Sequence, residues 1–401
     1  MKNRFTITRI TFKTFVVLCS LFSTFQRATA QQTKHHIAVF SPIYIDSAFK
    51  GNTYKIYGNY LPKNMLPGLE FYNGVMLAID SLKFDGTGNL FVDIYDYKSR
   101  NNSLNEILAD STNNLDSSKV IIASFNNRSD IKTLADYAKQ KQIPLISATY
   151  PNDGGISNNP YFFLLNPTLR THCKAMYRYI QKHHSADNVV YLTRQGSFEK
   201  MVENYFAEYD SANMNNALNL EPIALVDTFY SRELTSLVDS NKQNIIFCGT
   251  VHESFAYKIL STLSPLKKYK ITIIGMPTWD GLKNLEREDY KGVQIIYTSP
   301  YSYSKNDRLV ASLTQKYKAK YNSKPSDLVF KGYETMLRFG KTISLYGAGA
   351  MQLFSDDMFK IINALDIQPF YNKTDKTQID FYENNKIYFI KKIDGVVKSI
   401  N

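Results

Sequence analysis

Short apolar runs alternate with amphipathic stretches along almost the whole chain. The runs at Ile37–Phe40, Leu90–Tyr95, Lys119–Ala123, Ile143–Ser147, Asn188–Thr193, Pro222–Phe229, Asn244–Gly249, Lys270–Met276 and Val293–Thr298 are short, continuous and rich in β-branched residues. Runs of that kind predict strands buried on both faces of a parallel sheet. Between them the spacing changes to three and four residues, as in Phe71, Val75, Ile79 and Leu82, in Leu104, Ile107, Leu108 and Leu115, and in Ile131, Leu134, Ala135 and Ala138. Ser129 stands where the N-cap of that last helix is expected. Further helices are predicted from Leu169 to His184, from about Asp307 to Tyr321 and from about Asp327 to Tyr346. Strand–helix alternation of this kind predicts an α/β fold of doubly wound parallel sheets with right-handed crossovers.

Nine such strands in a chain of 401 residues suit two sheets better than one. The break is expected near Asn166-Pro167, where Phe162-Phe163-Leu164-Leu165 ends. The resulting division gives residues 31–166 plus about 301–346 to a first lobe, and residues 167–300 plus about 347–401 to a second. The tail changes character: Ile379–Tyr382, Ile387–Ile393 and Val396–Ile400 read as small antiparallel strands, with Asn384-Asn385 and Asp394-Gly395 as turn signals. Ser41 to Gly68 is a long segment rich in Tyr, Asn, Gly and Pro, and a loop of that length in a compact α/β domain is usually functional or disordered.

The first 30 residues stand apart. Lys2, Arg4, Arg9 and Lys13 precede the apolar stretch Thr14 to Phe25, and Ala28-Thr29-Ala30 supplies a small-x-small cleavage pattern. Together they predict an export signal removed near Gln31; lipid attachment at Cys19 is disfavoured by the bulky Leu18 before it. Losing the five bases of that segment takes the formal charge from +12 to +7, spread rather than blocked. No Lys/Arg run of the nucleic-acid-binding sort is present. Cys173 and Cys248 would remain, each in an apolar setting, and two cysteines do not make a disulfide framework.

Several stretches resemble a known family. Ile37-Ala38-Val39-Phe40-Ser41-Pro42 followed by Phe71-Tyr72-Asn73-Gly74-Val75-Met76-Leu77-Ala78-Ile79-Asp80 resembles the opening of leucine/isoleucine/valine-binding-type receptors, the type 1 periplasmic binding proteins. Val120–Ser124, Leu134–Ala138 and Ile143–Thr149 are similar to the middle of that family's first lobe. Asn159–Phe163 with Asn166-Pro167-Thr168 looks like its first crossover, and Gly332-Tyr333-Glu334 like the start of its late helix. Gly275-Met276-Pro277-Thr278-Trp279, with Lys316-Tyr317 and Lys320-Tyr321, resembles a Bacteroidetes branch of ABC-transporter substrate-binding proteins. The resemblance runs over most of residues 35–400 and implies two lobes with a ligand cleft between them.

Ligands in open α/β sheets bind outside the carboxyl ends of the strands, so the candidate contacts are the residues that follow strands. In the first lobe these are Ser41, Tyr44, Asn126, Ser147, Thr149 and Tyr150. The resemblance places Ser147 and Thr149 near where the family holds an amino-acid carboxylate. In the second lobe they are Gln195, Thr250, Glu253, Trp279 and Asp280. Glu253 or Asp280 could meet an α-ammonium, and the single tryptophan could cover its apolar side. Each also has a plain structural role: a strand end, a turn cap, an acid favoured at a helix start, or a core tryptophan.

The six histidines, His35, His36, His172, His183, His184 and His252, show no metal-ligand spacing. There is no G-x-S-x-G elbow and no phosphate-binding Walker loop; Asp85-Gly86-Thr87-Gly88 reads as a helix-to-strand turn. The leader, the two-lobe pattern and the resemblance together imply an exported, periplasmic receptor, and with those motifs missing it is expected to be non-enzymatic, without cofactor or metal. It would capture a small polar ligand of amino-acid type by lobe closure, for a membrane transporter or sensor. The other reading is a cell-envelope scaffold on the same fold that binds protein or peptidoglycan, with the loop Tyr54 to Leu66 filling the cleft.

Overall fold

The computed structural model describes residues 34–56, 61–85, 88–100, 102–283 and 290–400. The predicted export signal lies outside the described residues, as does part of the loop expected to bear on the cleft.

Two seven-stranded sheets carry the fold. The first runs Ile367–Tyr371, Ile379–Asn384, Phe162–Leu164, Leu145–Ser147, Ser118–Ala123, His35–Ser41, Leu90–Asp96 from edge to edge, and every pair except the first is parallel. Its apolar runs look unpatterned in sequence because both faces are covered. Ile37 and Val39 join Val120, Ile122 and Ile146 on one face; Ala38 and Phe40 join Ile121, Ala123 and Leu145 on the other. Alternate residues thus feed two different cores.

Helices Leu66–Phe84, Arg308–Tyr321 and Asp327–Tyr346 cover the first face, and Leu104–Ala109 and Arg128–Lys141 the second. Leu66–Phe84 and Asp327–Tyr346 pack with their backbones almost in contact. A Cβ on Gly74 would stand 2.0 Å from the Val329 carbonyl oxygen, and one on Gly332 2.1 Å from that of Phe71. Only glycine permits that approach.

The second sheet runs Pro222–Ala224, Asn188–Thr193, Gln243–Cys248, Lys270–Ile274, Gln294–Ser299, Tyr388–Ile393, Val396–Ile400, parallel except at its last two pairings. Its core holds Cys173 and Cys248, both free and buried, and burial raises both thiols far above their ordinary range.

The structure departs from the expectations in several places, one being the helical pattern begun at Leu104, which ends at Ala109 and leaves Leu115 in a separate turn. Phe162–Leu164 is itself a strand, and Pro222–Phe229 contributes only Pro222–Ala224, at a sheet edge where pairing ends early. Helix Arg128–Lys141 is capped by Asn127, whose side chain accepts the Asp130 N–H at 3.0 Å, so Ser129 lies inside the helix rather than before it. The tail, expected to join the second lobe, is divided between the sheets. Ile367–Tyr371 and Ile379–Asn384 join the first through aromatic pairs: Phe370 stacks on Phe381 at 4.8 Å and Tyr382 on Phe163 at 4.8 Å. Tyr388–Ile393 and Val396–Ile400 join the second. Among the described residues the chain therefore passes between the sheets at residues 165–168, 300–307 and 385–387.

Candidate functional site

At the carboxyl ends of the first sheet's strands, loop residues are tied into one hydrogen-bonded group. Ser124 and Thr149 follow neighbouring strands, and their hydroxyls lie 3.0 Å apart. The Thr149 hydroxyl also accepts the Phe125 N–H at 3.1 Å. Tyr97 closes the group from below by donating its hydroxyl to the Ser124 carbonyl at 2.9 Å. One residue on, the Asn126 amide donates to the Tyr44 hydroxyl at 2.8 Å. The amino end of helix Arg128–Lys141 adjoins this group, and its dipole favours an anion there; Asp130 in its first turn is already paired with Lys98 at 2.7 Å.

Tyr44 is held by a carboxylate. Its backbone is left-handed (φ 59°, ψ 38°), an unusual state for a bulky residue. Asp96, at the end of the edge strand, accepts the successive N–H groups of Ile43 (2.9 Å), Tyr44 (3.0 Å) and Ile45 (2.8 Å). Three such bonds to an ionised acceptor offset the local strain. Farther along, Asp46 accepts from the Ser99 hydroxyl at 2.9 Å and the Arg100 N–H at 2.6 Å. These bonds anchor the first part of the long loop to the flank of the first lobe.

The predicted first-lobe residues thus separate. Tyr44, Asn126 and Thr149 come together, with Asn126 exposed and Thr149 and Tyr150 half-buried. Ser41 is fully buried and donates to the Gly68 carbonyl at 2.8 Å. Ser147 is also fully buried, and its hydroxyl finds no partner among the described residues; its neighbour along the strand face is Leu145, which belongs to the core under helix Arg128–Lys141.

In the second lobe Thr250 and Trp279 are bonded to each other. The indole N–H of Trp279 donates to the Thr250 carbonyl at 3.2 Å, and the Thr250 hydroxyl donates to buried Glu199 at 2.6 Å. Trp279 is 1% exposed and packs on Gly275, so the tryptophan proposed as a ligand cover is a core wedge here. Gln195 and Glu253 are exposed, the latter opening helix Glu253–Leu263. Asp280 accepts the Tyr297 hydroxyl at 2.6 Å and lies 3.6 Å from the Lys392 ammonium, at the edge of a cavity of about 760 Å³ that also touches Tyr301 and Asp327.

Sequence reasoning missed Ser124, Asp96 and Asn166. Ser124 follows a predicted strand directly and was open to the same argument as Thr149. Asn166 lies at the predicted break, and its amide donates to the Thr149 carbonyl at 2.6 Å, a role that only the folded chain reveals. Among the described residues no group of three or more His, Cys, Asp or Glu side chains is placed to hold a metal ion, and no helix is long and apolar enough to cross a membrane.

A sequence profile of the periplasmic binding protein family matches residues 68–372. The fold is similar to solved structures across 92% of the chain. One is a Rhodospirillum rubrum protein described as a candidate branched-chain amino acid ABC transporter (TM-score 0.64, 11% identity, 100% of that chain covered). Another is a Burkholderia xenovorans periplasmic ligand-binding protein of a branched-chain amino acid ABC transporter (0.57, 13% identity, 95% covered). A third is a Desulfitobacterium hafniense ABC-transporter substrate-binding protein in complex with Leu (0.53, 13% identity, 100% covered). Among curated proteins, none matches the sequence.

Proposed function

The chain belongs to the periplasmic binding protein family, and from that premise we propose that it captures a small polar solute of amino-acid type between its lobes and presents it to a membrane transporter or sensor. The observation that carries the reading is the first-lobe group of Ser124, Thr149, Asn126 and Tyr44 beside the amino end of helix Arg128–Lys141. Hydroxyls, amides and a helix amino terminus suit a carboxylate. Two neighbours described in branched-chain amino acid ABC transport, and a third, an ABC-transporter substrate-binding protein holding Leu, support an amino acid as the solute class.

From the second lobe Gln195, Glu253 and Asp280 are the exposed candidates; Asp280 is engaged by Tyr297 and Lys392, which leaves Gln195 and Glu253 to meet an ammonium or a polar side chain. Ser41, Ser147, Thr250 and Trp279, buried as they are, act in this reading as supports and not contacts, and so does the buried Ser124, which holds the half-buried Thr149 hydroxyl in place. The protein works by binding and lobe closure, without a chemical step, after export to the periplasm.

A thermal-shift screen of the purified protein against L-amino acids, short peptides, nucleosides and cell-wall fragments tests the proposal. A ligand at about a hundred times its dissociation constant adds roughly 2.7 kcal/mol to stability. The expected result is a rise with one or more amino acids that is lost in Ser124→Ala/Thr149→Ala. A cooperative melt that no small molecule moves would reject this reading and direct attention to a protein or peptidoglycan partner.

A further inference from the structure

Lys331 lies in the second turn of helix Asp327–Tyr346 and is 8% exposed. Its ammonium donates to the side-chain oxygen of Asn166 in the first passage between the lobes. It also sits 4.4 Å from the ring centroid of Tyr301, in the second passage, where an aromatic face attracts a cation. Asn166 is thereby oriented at both ends: its oxygen meets the lysine and its NH₂ meets the Thr149 carbonyl at 2.6 Å. A cavity of about 30 Å³, room for a single water, touches Lys331, Tyr301, Glu334 and Asn384, the last strand residue before the third passage.

We propose that Lys331 is a positioning residue for ligand capture, joining the first two passages through Asn166 and Tyr301 and setting the Thr149 loop through Asn166. The closure it serves rests on the solute-capture reading, but the contacts do not.

The groups facing Lys331 are Asp327, Glu334 and Arg338 on its own helix, His172 from helix Leu169–His183, and Tyr301 and Tyr303 from the second passage. Asp280 and Lys392 of the second lobe act on it through Asp327. Glu334 is already engaged by the Ile362 N–H at 3.0 Å and the Asn363 side-chain amide at 2.9 Å. Burial outweighs the attraction of Asp327 and Glu334 and lowers the Lys331 ammonium to about 7. The charge at this junction therefore changes near neutral pH.

The test uses donor and acceptor dyes on Lys132→Cys and Lys200→Cys, exposed sites on helices of the two lobes, with the native cysteines buried. Interlobe distance distributions are recorded without ligand from pH 6 to pH 8.5. The wild type is expected to shift with a midpoint near pH 7. K331M should give one broadened, pH-independent distribution, and K331R should keep the low-pH distribution throughout. A K331M profile that superimposes on the wild type, with or without a pH shift, overturns the proposal. Should K331M fail to fold, Asn166→Leu removes the shared amide while keeping the lysine; it is expected to broaden the distribution, and a wild-type profile there overturns the proposal equally. Because no ligand is added, failure here leaves the thermal-shift test of solute capture untouched.

Discussion

Replacing Gly332 by alanine adds one methyl group where two helices meet backbone to backbone. The new Cβ would lie 2.1 Å from the Phe71 carbonyl oxygen and 3.2 Å from the Val75 nitrogen, whereas ordinary contact begins at 3.4 Å. Helices Leu66–Phe84 and Asp327–Tyr346 must therefore part by about 1.3 Å, since a backbone oxygen cannot rotate away as a side chain can. The separation opens a core that includes Phe71, Val75, Ala78, Val329, Met336 and Ile343, each 0–1% exposed. Overpacking of this kind costs about 1–3 kcal/mol, with an immovable obstacle placing it at the upper end. Alanine gains about 0.8–1 kcal/mol over glycine in a helix interior. The expected net loss is about 2 kcal/mol, read as a lower urea midpoint with an unchanged slope. Gly349→Ala, with nothing within 4 Å of its Cβ, is the control and should leave the midpoint nearly in place. A Gly332→Ala protein as stable as the wild type would refute the reasoning, because helix propensity alone would then have decided the outcome. Gly74→Ala should cost a similar amount, and the double variant less than the sum, because both open the same interface.

Other expectations follow from the same contacts. Thr250→Val removes the 2.6 Å donor to buried Glu199 and should cost about 1–3 kcal/mol; a neutral effect in chemical denaturation would show that the carboxylate finds another partner. Lys331 is lowered from 10.5 to about 7, so between those values the unfolded chain holds a proton there that the folded chain lacks. Stability from this group rises with pH across that window and is fully lost below it, with a limiting slope of about 1.4 kcal/mol per pH unit. Urea midpoints at pH 7 and pH 9 should diverge in the wild type and converge in K331M; equal slopes in both proteins would reject the assignment. Asp96→Ala leaves the Tyr44 and Ile45 N–H groups without their acceptor, whereas Ile43 keeps a bond to the Ser41 carbonyl at 3.0 Å, so amide exchange at Tyr44 and Ile45 should accelerate well beyond that of the strand core. Unchanged protection would mean that the loop is ordered from elsewhere.

How much of this was legible in the sequence depended on what each residue's role required. The parallel strands could be read because a sheet covered on both faces needs unbroken apolar runs, and Ile37–Phe40 supplies one whose residues are all buried. Ile367–Tyr371 could not: it is a half-exposed edge strand containing Pro369, and it is held by an aromatic pair with Phe381 that no local pattern announces. Asn127 and Ser129 are both capping residues by type, and only the backbone decided between them. Thr149 was legible as a residue following a strand. Asn166 and Lys331 were not, because their meeting joins positions 165 residues apart, and a lysine on an amphipathic helix otherwise reads as solvated surface. Trp279 was readable either way, and its indole bond to Thr250 decided for the core.

The measurement that bears most directly on solute capture is small-angle X-ray scattering of the protein with and without a saturating mixture of L-amino acids. Capture by lobe closure predicts a smaller radius of gyration with the mixture, and no such change in Ser124→Ala/Thr149→Ala. Identical scattering with and without the mixture, from a folded protein whose melt the same mixture also leaves unmoved, would contradict the account.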